Sequence, residues 1–522
     1  MAVVAPAQPS VLQTGNWFQF SVKSDGIYKI DYNLLRQAGL NPDQIDPRNL
    51  QLFTGSHGML PQPNSSPRLA DLQELAIEVV GEGDGRFDRN DFILFYANGP
   101  DRFEYRTSKS LFFYENNLYD DKNFYYLSVR SQAGKRVTQQ PSEPGTHPII
   151  REFEDFGFYE TERYNELKSG RQWFGEQFDT RLDATIQFDV PGIVGGSSLK
   201  LVSHVMGQSF ANANFKVFFN NVQVADQPVL PIPNTQYGVK GSLRADTITF
   251  SSASVGASAQ TNQLIRYEFV KAASLRSIGY LDYFIFTCKR ALALYGKQTR
   301  FSSEASLSNA ITTFEISALS AESRVWDISD RLNPKSQTFS LQSGKGLFSA
   351  ATTSLKSFMV FNSGAVDLAT FEKKISNQNL REGPPVSLII ITSPDLQSEA
   401  QRLATHRNQQ GISSWVVTTN GIYHEFSGGK QDVVAIRDFI RHQYLRSGQL
   451  KNVLLLGRGS YDYKNRIANN TNLVPLYMSR NSLSPLETYS SDDFLGFLES
   501  NEGEWRESPA QNHTLDIGIG RI

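Results

Sequence analysis

Apolar and polar residues follow two different patterns along the chain. Up to about residue 380, short runs alternate apolar and polar residues and are separated by Gly, Pro and Asn, as in "NFKVFFNNVQV" and "QLIRYEFV". Alternation with a period of two predicts half-buried β-strands. After Pro385, continuous apolar runs take turns with segments whose apolar residues recur at helical spacing. The patterns predict a multidomain protein in which β-rich domains precede an α/β domain.

The first predicted domain, residues 1–148, consists mostly of strands and contains one helix. Asp31 is placed to cap a short helix that carries Leu34, Leu35 and Leu40 and closes near Gly39. Glycine and proline separate the later strands. The stretch "TQQPSEPGTHP" at residues 138–148 has the composition of a linker, so we expect the domain to end there.

The second predicted region, residues 149–383, has the strand spacing of a β-sandwich. "ATIQFDVPG" and "SLKLVSHVMG" are typical strands, and Asn220 and Asn221 are predicted at the turn of a hairpin. The β pattern continues to about Phe361. A polar stretch that ends in two prolines then predicts a boundary near Gly383.

The third predicted domain, residues 384–522, begins with the apolar run "VSLIIIT", as in a strand buried on both faces. A helix that stops at Gly411, the strand "SWVVTT", a helix that starts at Asp432 and the strand "NVLLLG" come next. This β-α-β-α-β order predicts right-handed crossovers and a parallel sheet. Sites in such sheets form beyond the carboxyl ends of the strands, where Gly457 and Arg458 lie.

Charge and composition exclude several classes of function. The 522 residues carry 51 basic and 53 acidic side chains, so nothing in the balance calls for nucleic acid as a partner. No run of about 18 apolar residues is present, which predicts no membrane-spanning helix. The first residues lack the basic and apolar regions of a signal peptide. The chain is therefore cytosolic or is the mature form of a secreted protein.

The glycine-rich loop after "NVLLLG" does not have the sequence of a phosphate-binding loop. Gly457 and Gly459 give only Gly-x-Gly, and Asp462 stands where a dinucleotide fingerprint has its third glycine. The next residues predict a loop, so no helix N-terminus is offered to a phosphate. Nucleotide binding is not expected.

One cysteine and several histidines are the candidates for nucleophilic chemistry. Cys288, the single cysteine, lies in an apolar strand and is either a buried small hydrophobe or a nucleophile that needs a nearby histidine. Of the histidines, His406 and His442 are predicted on helix surfaces, His424 in the loop "YHEF", and His513 just before the last strand. None has a thiol near it in sequence, so structural roles are expected.

Several motifs occur in an order that resembles a known family. "NVLLLGRGSYDYKNR", "NLVPLYMS", "YSSDDFLGFLESNEG" and "LDIGIGRI" occur one after another, and "GIYHEFSGGKQDVVAIRDFIR" precedes them. The set resembles the gingipain-type C25 cysteine peptidases, which have a caspase-like fold, and within them the sortases of the bacterial type IX secretion system. "GIYKIDYNLL", "GEGDGRFDRNDFILFYANGP" and "SGRQWFGEQFD" extend the resemblance upstream, so it covers most of the chain.

The resemblance implies a fold and an activity. It implies that residues 384–522 are the first, non-catalytic half of a caspase-like domain, and that the catalytic His and Cys lie beyond Ile522, with none in this chain. Such sortases use a thiolate to attack a peptide carbonyl and form an acyl-enzyme. They remove the C-terminal sorting domain of secreted cargo and can join the cargo to an anionic lipopolysaccharide.

The resemblance also implies a location and partners. We expect a protein on the cell surface, peripheral on the outer membrane, that is secreted through a signal peptide absent from this chain. The expected partners are cargo proteins with C-terminal sorting domains, a PorV-like outer-membrane β-barrel and other attachment-complex subunits. No residue by itself shows these partners.

Calcium is a possible ligand at three places. Relatives usually carry Gly-Asp where this chain has Gly457 and Arg458, and in gingipains that aspartate helps to bind calcium. An arginine makes such a site doubtful here. Arg458 either pairs with an acidic group or is solvated, and the acidic candidates are Asp492, Asp493 and Glu499.

The other two places are acidic turns. Asp84, Asp88 and Asp91 match later positions of a calcium loop, but the first ligand position falls on Val80, so the alternative is a turn with Gly85 at positive φ. The turn "SSDDFLGFLESNEGEWRE" at residues 490–507 is the third candidate.

A second interpretation of the whole sequence is a surface adhesion or glycan-binding β-protein with a degenerate peptidase-like domain. The two interpretations differ in the residues that the gene is expected to encode after position 522. A His-Gly pair and then a cysteine, each after an apolar strand, are expected for the peptidase and not for the adhesin.

Overall fold

The computed structural model describes residues 8–503, 505 and 513–522. The first β region is a sandwich of two sheets. In spatial order, one sheet contains Thr370–Ile375, Trp17–Val22, Asn123–Val129, Leu50–Thr54 and Gln73–Leu75, and the other contains Asp367–Leu368, Gly26–Asp31, Phe92–Ala97 and Glu78–Val80. Their facing sides share one apolar core that includes Phe20, Leu52, Ile30 and Phe95.

The predicted short helix of this region forms as expected. It spans Tyr32–Gln37, and the Asp31 carboxylate accepts the Leu34 N–H at 2.8 Å. Gly39 has φ +85° and ends it, while Leu34 and Leu35 are buried. A separate hairpin, Arg102–Arg106 with Leu111–Glu115, leaves the sandwich and packs on the next region through Phe103 and Phe156.

The second β region is also a sandwich, and its core includes Phe215, Val217, Tyr267 and Phe284. Asn220 and Asn221 have φ of 48° and 66° at the predicted hairpin turn. One sheet contains, in spatial order, Glu152–Glu160, Ser277–Ala291, Ser198–Ser209 and Ser242–Ser251, and the short strand Gln177–Phe178 also pairs with Ser277–Ala291. The other sheet contains Asp183–Asp189, Asn262–Val270, Ala213–Phe219 and Val222–Val229.

A third sandwich comes next, built around Phe301, Phe314, Phe348 and Phe358. One sheet contains Thr138–Gln140, Lys335–Gln337, Ser323–Asp327, Phe358–Asn362 and Gln298–Phe301, and the other contains Ile149–Ile150, Ile311–Ile316, Lys345–Ala351 and Ser340–Gln342. The predicted linker thus begins with a strand, Thr138–Gln140. The domain boundaries predicted at residues 148 and 383 stay predictions. Two strands within residues 367–375 pair with strands of the first sandwich.

The α/β region has the predicted order with one more helix. Its elements are β1 (Leu388–Thr392), α1 (Gln397–Gln409), β2 (Ser414–Thr418), α2 (Thr419–Phe426), α3 (Val433–Ser447), β3 (Asn452–Leu456) and β4 (Gly518–Arg521). The sheet order is β2-β1-β3-β4 and every pair is parallel. The predicted fold class, β-rich domains followed by an α/β half with a parallel sheet, is confirmed.

The chain between β3 and β4 makes a long excursion that, in its described part, contains one two-stranded ladder, Tyr477–Met478 with Ser490–Ser491. None of the helices in the described ranges is long and apolar enough to cross a membrane. The 3-10 segments are Val11–Gln13, Pro42–Gln44, Pro47–Asn49, Glu82–Asp84, Ala257–Ala259, Glu304–Ser308, Leu380–Glu382, Pro394–Leu396 and Asp493–Gly496.

Candidate functional site at the carboxyl edge of the parallel sheet

The four parallel strands end at one edge of the sheet, the place where ligands bind in open α/β sheets. Thr392, at the end of β1, donates its hydroxyl to the carbonyl of Leu456, at the end of β3, at 2.8 Å. The Gly457 N–H donates to the Ile522 carbonyl just beyond β4 at 2.9 Å. These bonds fix three neighbouring strand ends relative to one another.

The loop after β3 turns away from the sheet and closes on itself. Gly457 has φ +141°, a conformation that favours glycine. Asp462 is fully buried, accepts the Ile467 N–H at 2.7 Å and lies 3.4 Å from the Arg466 guanidinium. Residues 457–476, all of them described, contain no helix. The loop therefore offers no helix N-terminus to a phosphate, as the sequence predicted.

Arg521, at the end of β4, is the charged centre of this edge. Its guanidinium makes a bidentate pair with Asp492, at 2.8 and 2.6 Å, and donates to the carbonyls of Gly457 and Val474 at 2.7 Å each. The side chain is 17% exposed. One arginine thus joins the last strand, the glycine loop and the acidic turn near residue 492.

Of the two alternatives for Arg458, the ion pair is not formed among the described residues. Arg458 is exposed and only its main chain is engaged, since its carbonyl accepts the Leu473 and Val474 N–H groups. Asp492, one of its predicted partners, pairs with Arg521 instead. The solvated alternative is the one that the structure shows.

The same arrangement does not fit a calcium ion. Calcium needs oxygen ligands from carboxylates and carbonyls. The Asp492 carboxylate and the carbonyls of Gly457 and Val474 all accept from the Arg521 guanidinium. A permanent cation from the protein is therefore already hydrogen-bonded to the oxygens that a metal would use.

The calcium candidates in the first β region form a turn. Asp84 accepts the Arg86 N–H at 2.9 Å, and Asp91 accepts the Asp88 N–H at 2.7 Å. Gly85 has φ +78°, as the turn alternative requires. Among the described residues, no group of three or more His, Cys, Asp or Glu side chains is arranged to hold a metal ion. In the turn at residues 490–507, positions 504, 506 and 507 lie outside the described residues.

His424 is not in a loop, contrary to the prediction. It lies on α2, which Thr418 caps by accepting the Gly421 N–H at 3.2 Å. The sequence signal for this helix is weak because its first turn contains threonine, asparagine and glycine, which are poor helix formers. Tertiary packing of Ile422 and Tyr423 in the α/β core stabilises it.

The His424 ring is buried against the first β region and is held neutral. Its Nδ1 lies 2.8 Å from the Tyr126 hydroxyl, which itself accepts from the Gln19 amide at 3.1 Å. Because the hydroxyl already accepts from Gln19, its own proton is placed to be donated to Nδ1 of the neutral ring. Burial lowers the pKa of His424 to about 3, and the charge of Lys373 adds to this effect.

The remaining candidates for nucleophilic chemistry do not meet. Cys288 is buried in the second sandwich, where desolvation raises the pKa of its thiol well above the usual value. His406 is exposed on α1 as predicted, whereas His442 is half-buried with Nε2 2.9 Å from the Arg381 carbonyl. His513 stacks on Phe497. The described residues hold no Cys–His pair.

Comparison with known proteins identifies the α/β region. The model of peptidase family C25 matches residues 381–522. This match coincides with the parallel sheet, its helices and the edge described above. Residues 381–522 are thus similar to peptidase family C25, and we call them the C25 region. No curated protein matches the chain.

Among solved structures, the chain is similar to dimeric latent PorU from Porphyromonas gingivalis. The TM-score is 0.82 at 20% identity, and the match covers 98% of this chain and 48% of that one. The C25 region and the three sandwiches before it therefore share the PorU fold. The chain spans about half the length of the PorU chain that it matches. A family 35 carbohydrate-binding module from Clostridium thermocellum gives a TM-score of only 0.18, at 15% identity over 25% of this chain and 91% of the module, and carries no argument.

The C25 region is fixed to the first sandwich through buried charged groups that sequence reasoning missed. Lys430, 1% exposed, donates to the Ser56 carbonyl at 2.5 Å and to Asn123 Oδ1 at 2.9 Å. Asp432, the N-cap of α3, accepts the Val434 N–H and also the Leu60 N–H at 2.9 Å. Burial lowers the pKa of Lys430 to about 8 and raises that of Asp432 to about 7.

Two arginines extend this junction. Arg437 on α3 is fully buried and donates to the Gly503 carbonyl at 2.7 Å and to the Gln62 carbonyl. Arg68, from the first region, pairs with Asp438, whose side chain is 10% exposed, at 2.5 Å. The sequence signal for this junction was Lys430 and Asp432 in the "SGGKQD" segment. Charge alone, however, predicts that such residues lie in a solvated loop. Their burial depends on residues more than three hundred positions away.

Proposed function

We propose that the chain is the N-terminal part of a cell-surface cysteine endopeptidase of the sortase type. The observation that carries the proposal is the C25 match over residues 381–522, on a chain whose PorU-like fold spans 98% of its length. In this proposal the enzyme removes the C-terminal sorting domain from secreted cargo and transfers the cargo to an anionic lipopolysaccharide. The adhesin alternative also contains a peptidase-like domain, so the C25 match does not separate the two, but the PorU-like fold over 98% of the chain favours the enzyme.

In the proposed enzyme, the catalytic Cys and His are supplied by residues other than these 522. Support comes from the burial of Cys288 in a sandwich and from the absence of a Cys–His pair among the described residues. The first half of the C25 domain would then orient the catalytic half. Its contribution is the fixed sheet edge, where Arg521 joins the end of β4 to the loop after β3.

The proposed chemistry is thiolate attack on a peptide carbonyl, followed by transfer of the acyl group to water or to an amine of the glycan. An amine competes with water only when it is bound next to the acyl-enzyme. The proposed partners are sorting-domain cargo, a PorV-like outer-membrane protein and other attachment-complex subunits, and the proposed location is the outer surface of the outer membrane.

The test compares two purified proteins with a peptide that spans a sorting-domain cleavage site. The protein of residues 1–522 is expected to leave the peptide intact over hours, as judged by mass spectrometry. A longer protein that includes the whole C25 domain is expected to cleave it and to lose activity on alkylation by iodoacetamide.

One control and two possible outcomes make the comparison decisive. Cys288→Ser in the longer protein is expected to leave cleavage unchanged, because a buried thiol is not the nucleophile. Cleavage by residues 1–522 alone would contradict the placement of the catalytic pair. A longer protein without any cleavage or transfer would contradict the peptidase function itself.

A further inference from the structure

A large cleft lies at the junction between the first sandwich and the C25 region. Its volume is about 940 Å³, within the range of ligand-binding clefts. The loop of residues 56–69 forms one wall, and α3 contributes Val434 to the floor. The ends of the hairpin of residues 102–115, the segment just after it, and single residues from the second and third sandwiches also line the cleft. The cleft is therefore assembled from every region of the chain.

The side chains that line this cleft are strongly cationic. Among the described residues that line it, five are arginines and one, Glu115, is acidic. His57, also in the lining, has Nε2 2.9 Å from the Asp101 carbonyl oxygen, and burial lowers its pKa to about 4. The arginines are Arg68, Arg102, Arg171, Arg331 and Arg480. The cleft carries positive charge at neutral pH on a chain whose net charge is -2.

Two of these arginines, Arg171 and Arg331, keep most of their hydrogen-bonding capacity. Arg68, by contrast, is committed to Asp438 and to three carbonyls of its own loop. Arg331 donates a single bond, to the Gly55 carbonyl at 3.3 Å. The Arg171 guanidinium forms no hydrogen bond or ion pair with any described residue. A guanidinium has five N–H donors, so both side chains can bind further anionic partners.

Apart from the charged residues, the described lining is mostly aliphatic, with Ser56, Gln62 and Asn116 as its neutral polar residues, and it contains no open aromatic face. Met59, Leu60, Leu69 and Leu118 line the cleft beside three prolines. Among the described lining residues, Tyr119 is the one aromatic ring besides His57, and it is 4% exposed. A saccharide site usually presents the exposed face of an aromatic ring. Arginines beside aliphatic side chains instead match a peptide that carries both carboxylates and apolar residues.

We propose that this cleft binds an acidic peptide segment, with Arg171 and Arg331 as the residues that hold its carboxylates. Bidentate Arg–carboxylate pairs give orientation, and the aliphatic wall takes the apolar side chains between the acids. This inference concerns binding by residues 1–522 and stands whether or not the larger protein is a peptidase.

The test is fluorescence anisotropy with a short labelled peptide of alternating Glu and Leu and a matched peptide of alternating Gln and Leu. The Glu peptide is expected to bind residues 1–522 and to bind more weakly as salt is added. Arg171→Gln and Arg331→Gln are each expected to weaken binding by about tenfold, the loss of one charge-assisted pair. Arg171→Lys should lose less than Arg171→Gln.

The matched control is Arg402→Gln, an arginine that is 78% exposed on α1 and outside the cleft. It is expected to bind the Glu peptide as the unchanged protein does. Equal melting curves for the Arg171 variants and the unchanged protein show that binding, not folding, is affected. Unchanged affinity in both the Arg171→Gln and Arg331→Gln proteins, or equal binding of the Gln peptide, overturns the proposal. Binding of a sulfated oligosaccharide without binding of the Glu peptide overturns it as well.

Discussion

Arg521 and Arg458 show how two arginines at one sheet edge differ in their energetic role. Both lie at the ends of strands of the same parallel sheet, and the sequence drew attention to Arg458. Only Arg521 is hydrogen-bonded to a carboxylate and to two loop carbonyls. A charged group that is mostly buried and fully hydrogen-bonded contributes more to local stability than an exposed one.

Replacement of Arg521 is expected to loosen the sheet edge. Arg521→Ala leaves Asp492 and two carbonyls without donors, so the local opening free energy should fall by about 2–3 kcal/mol. Hydrogen exchange at the Gly457 and Val474 amides measures this loss. Arg458→Ala is the matched control and should change the same amides by less than about 0.5 kcal/mol. Equal exchange in both variants would contradict the assigned role of Arg521.

The neutral, buried state of His424 makes stability depend on pH. Its pKa in the folded protein is about 3, below the ordinary 6.5 of an unfolded chain. Between these values the unfolded chain binds a proton that the folded protein does not. The stability contributed by the neutral His424 ring is fully present above pH 6.5 and is lost as the pH falls toward 3. The limiting slope of the unfolding free energy is about 1.4 kcal/mol per pH unit.

His424→Asn is expected to flatten the acid side of the stability profile. Asparagine can accept the Tyr126 hydroxyl proton through Oδ1 but does not titrate. Thermal melts between about pH 4.5 and 6.5 should show a smaller loss of stability per pH unit than in the unchanged protein. His406→Asn removes an exposed histidine and should leave the slope unchanged. An unaltered slope in the His424 variant would show that this ring titrates normally.

At the scale of elements, the turn between α2 and α3 approaches the first sandwich so closely that only glycine fits on both sides. A Cβ on Gly428 would lie 2.6 Å from the Gly55 Cα, and Gly428 also has φ +67°. Gly429, at φ +97°, faces the Tyr126 hydroxyl in the same way. This backbone contact sets the distance between α2 and the sandwich, and so the position of Lys430.

Gly428→Ala is therefore expected to lower the free energy of unfolding by more than the strain of a positive φ alone would. Gly448→Ala is the matched control, because Gly448 has φ +62° and no atom within 4 Å of its Cβ position. Both variants strain the backbone by about 1 kcal/mol, and the clash should add about 1–3 kcal/mol for Gly428→Ala only. Urea unfolding followed by Trp fluorescence compares them. Equal urea midpoints for the two variants would mean that the backbone at the junction shifts to accommodate the added Cβ without loss of stability.

The sequence predicted elements that depend on local signals and missed those that depend on distant contacts. Asp31 and Asp432 cap helices where the pattern placed them, since capping involves residues two or three positions away. The continuous apolar run of β1 predicted a strand buried in a parallel sheet. Helix α2 was missed because its own residues are poor helix formers and its stability comes from packing.

The candidate site was less predictable than the fold for the same reason. Gly457 lies at the predicted sheet edge, but the pairing of Asp492 with Arg521 joins two segments that no local pattern relates. The cationic cleft is even less predictable from the sequence, because its arginines, at positions 68, 102, 171, 331 and 480, come together only in the folded chain. A sequence shows each of them as an ordinary surface charge.

At the scale of the whole molecule, the C25 region and the first sandwich share one interior. The core of the C25 region includes Leu60 and Tyr119 from the sandwich side, and the Tyr119 ring lies 4.8 Å from that of Tyr463. Lys430 donates to Ser56 and Asn123, both outside the C25 region. Arg437 donates to Gln62, also outside it, and to Gly503, close to its C-terminal end. Buried cations without acceptors are strongly destabilising.

Residues 381–522 are therefore not expected to fold cooperatively by themselves. Without residues 56–123, Lys430 and Arg437 lose acceptors, α3 loses the Leu60 contact at its cap, and part of the apolar core is open to water. The isolated region should bind a hydrophobic dye and lack a sharp thermal transition. Residues 149–295 are the control, since the buried core of that sandwich lies entirely between Phe178 and Cys288, and should unfold cooperatively. A sharp transition of the isolated C25 region would show that the junction is only a contact between two independently stable parts.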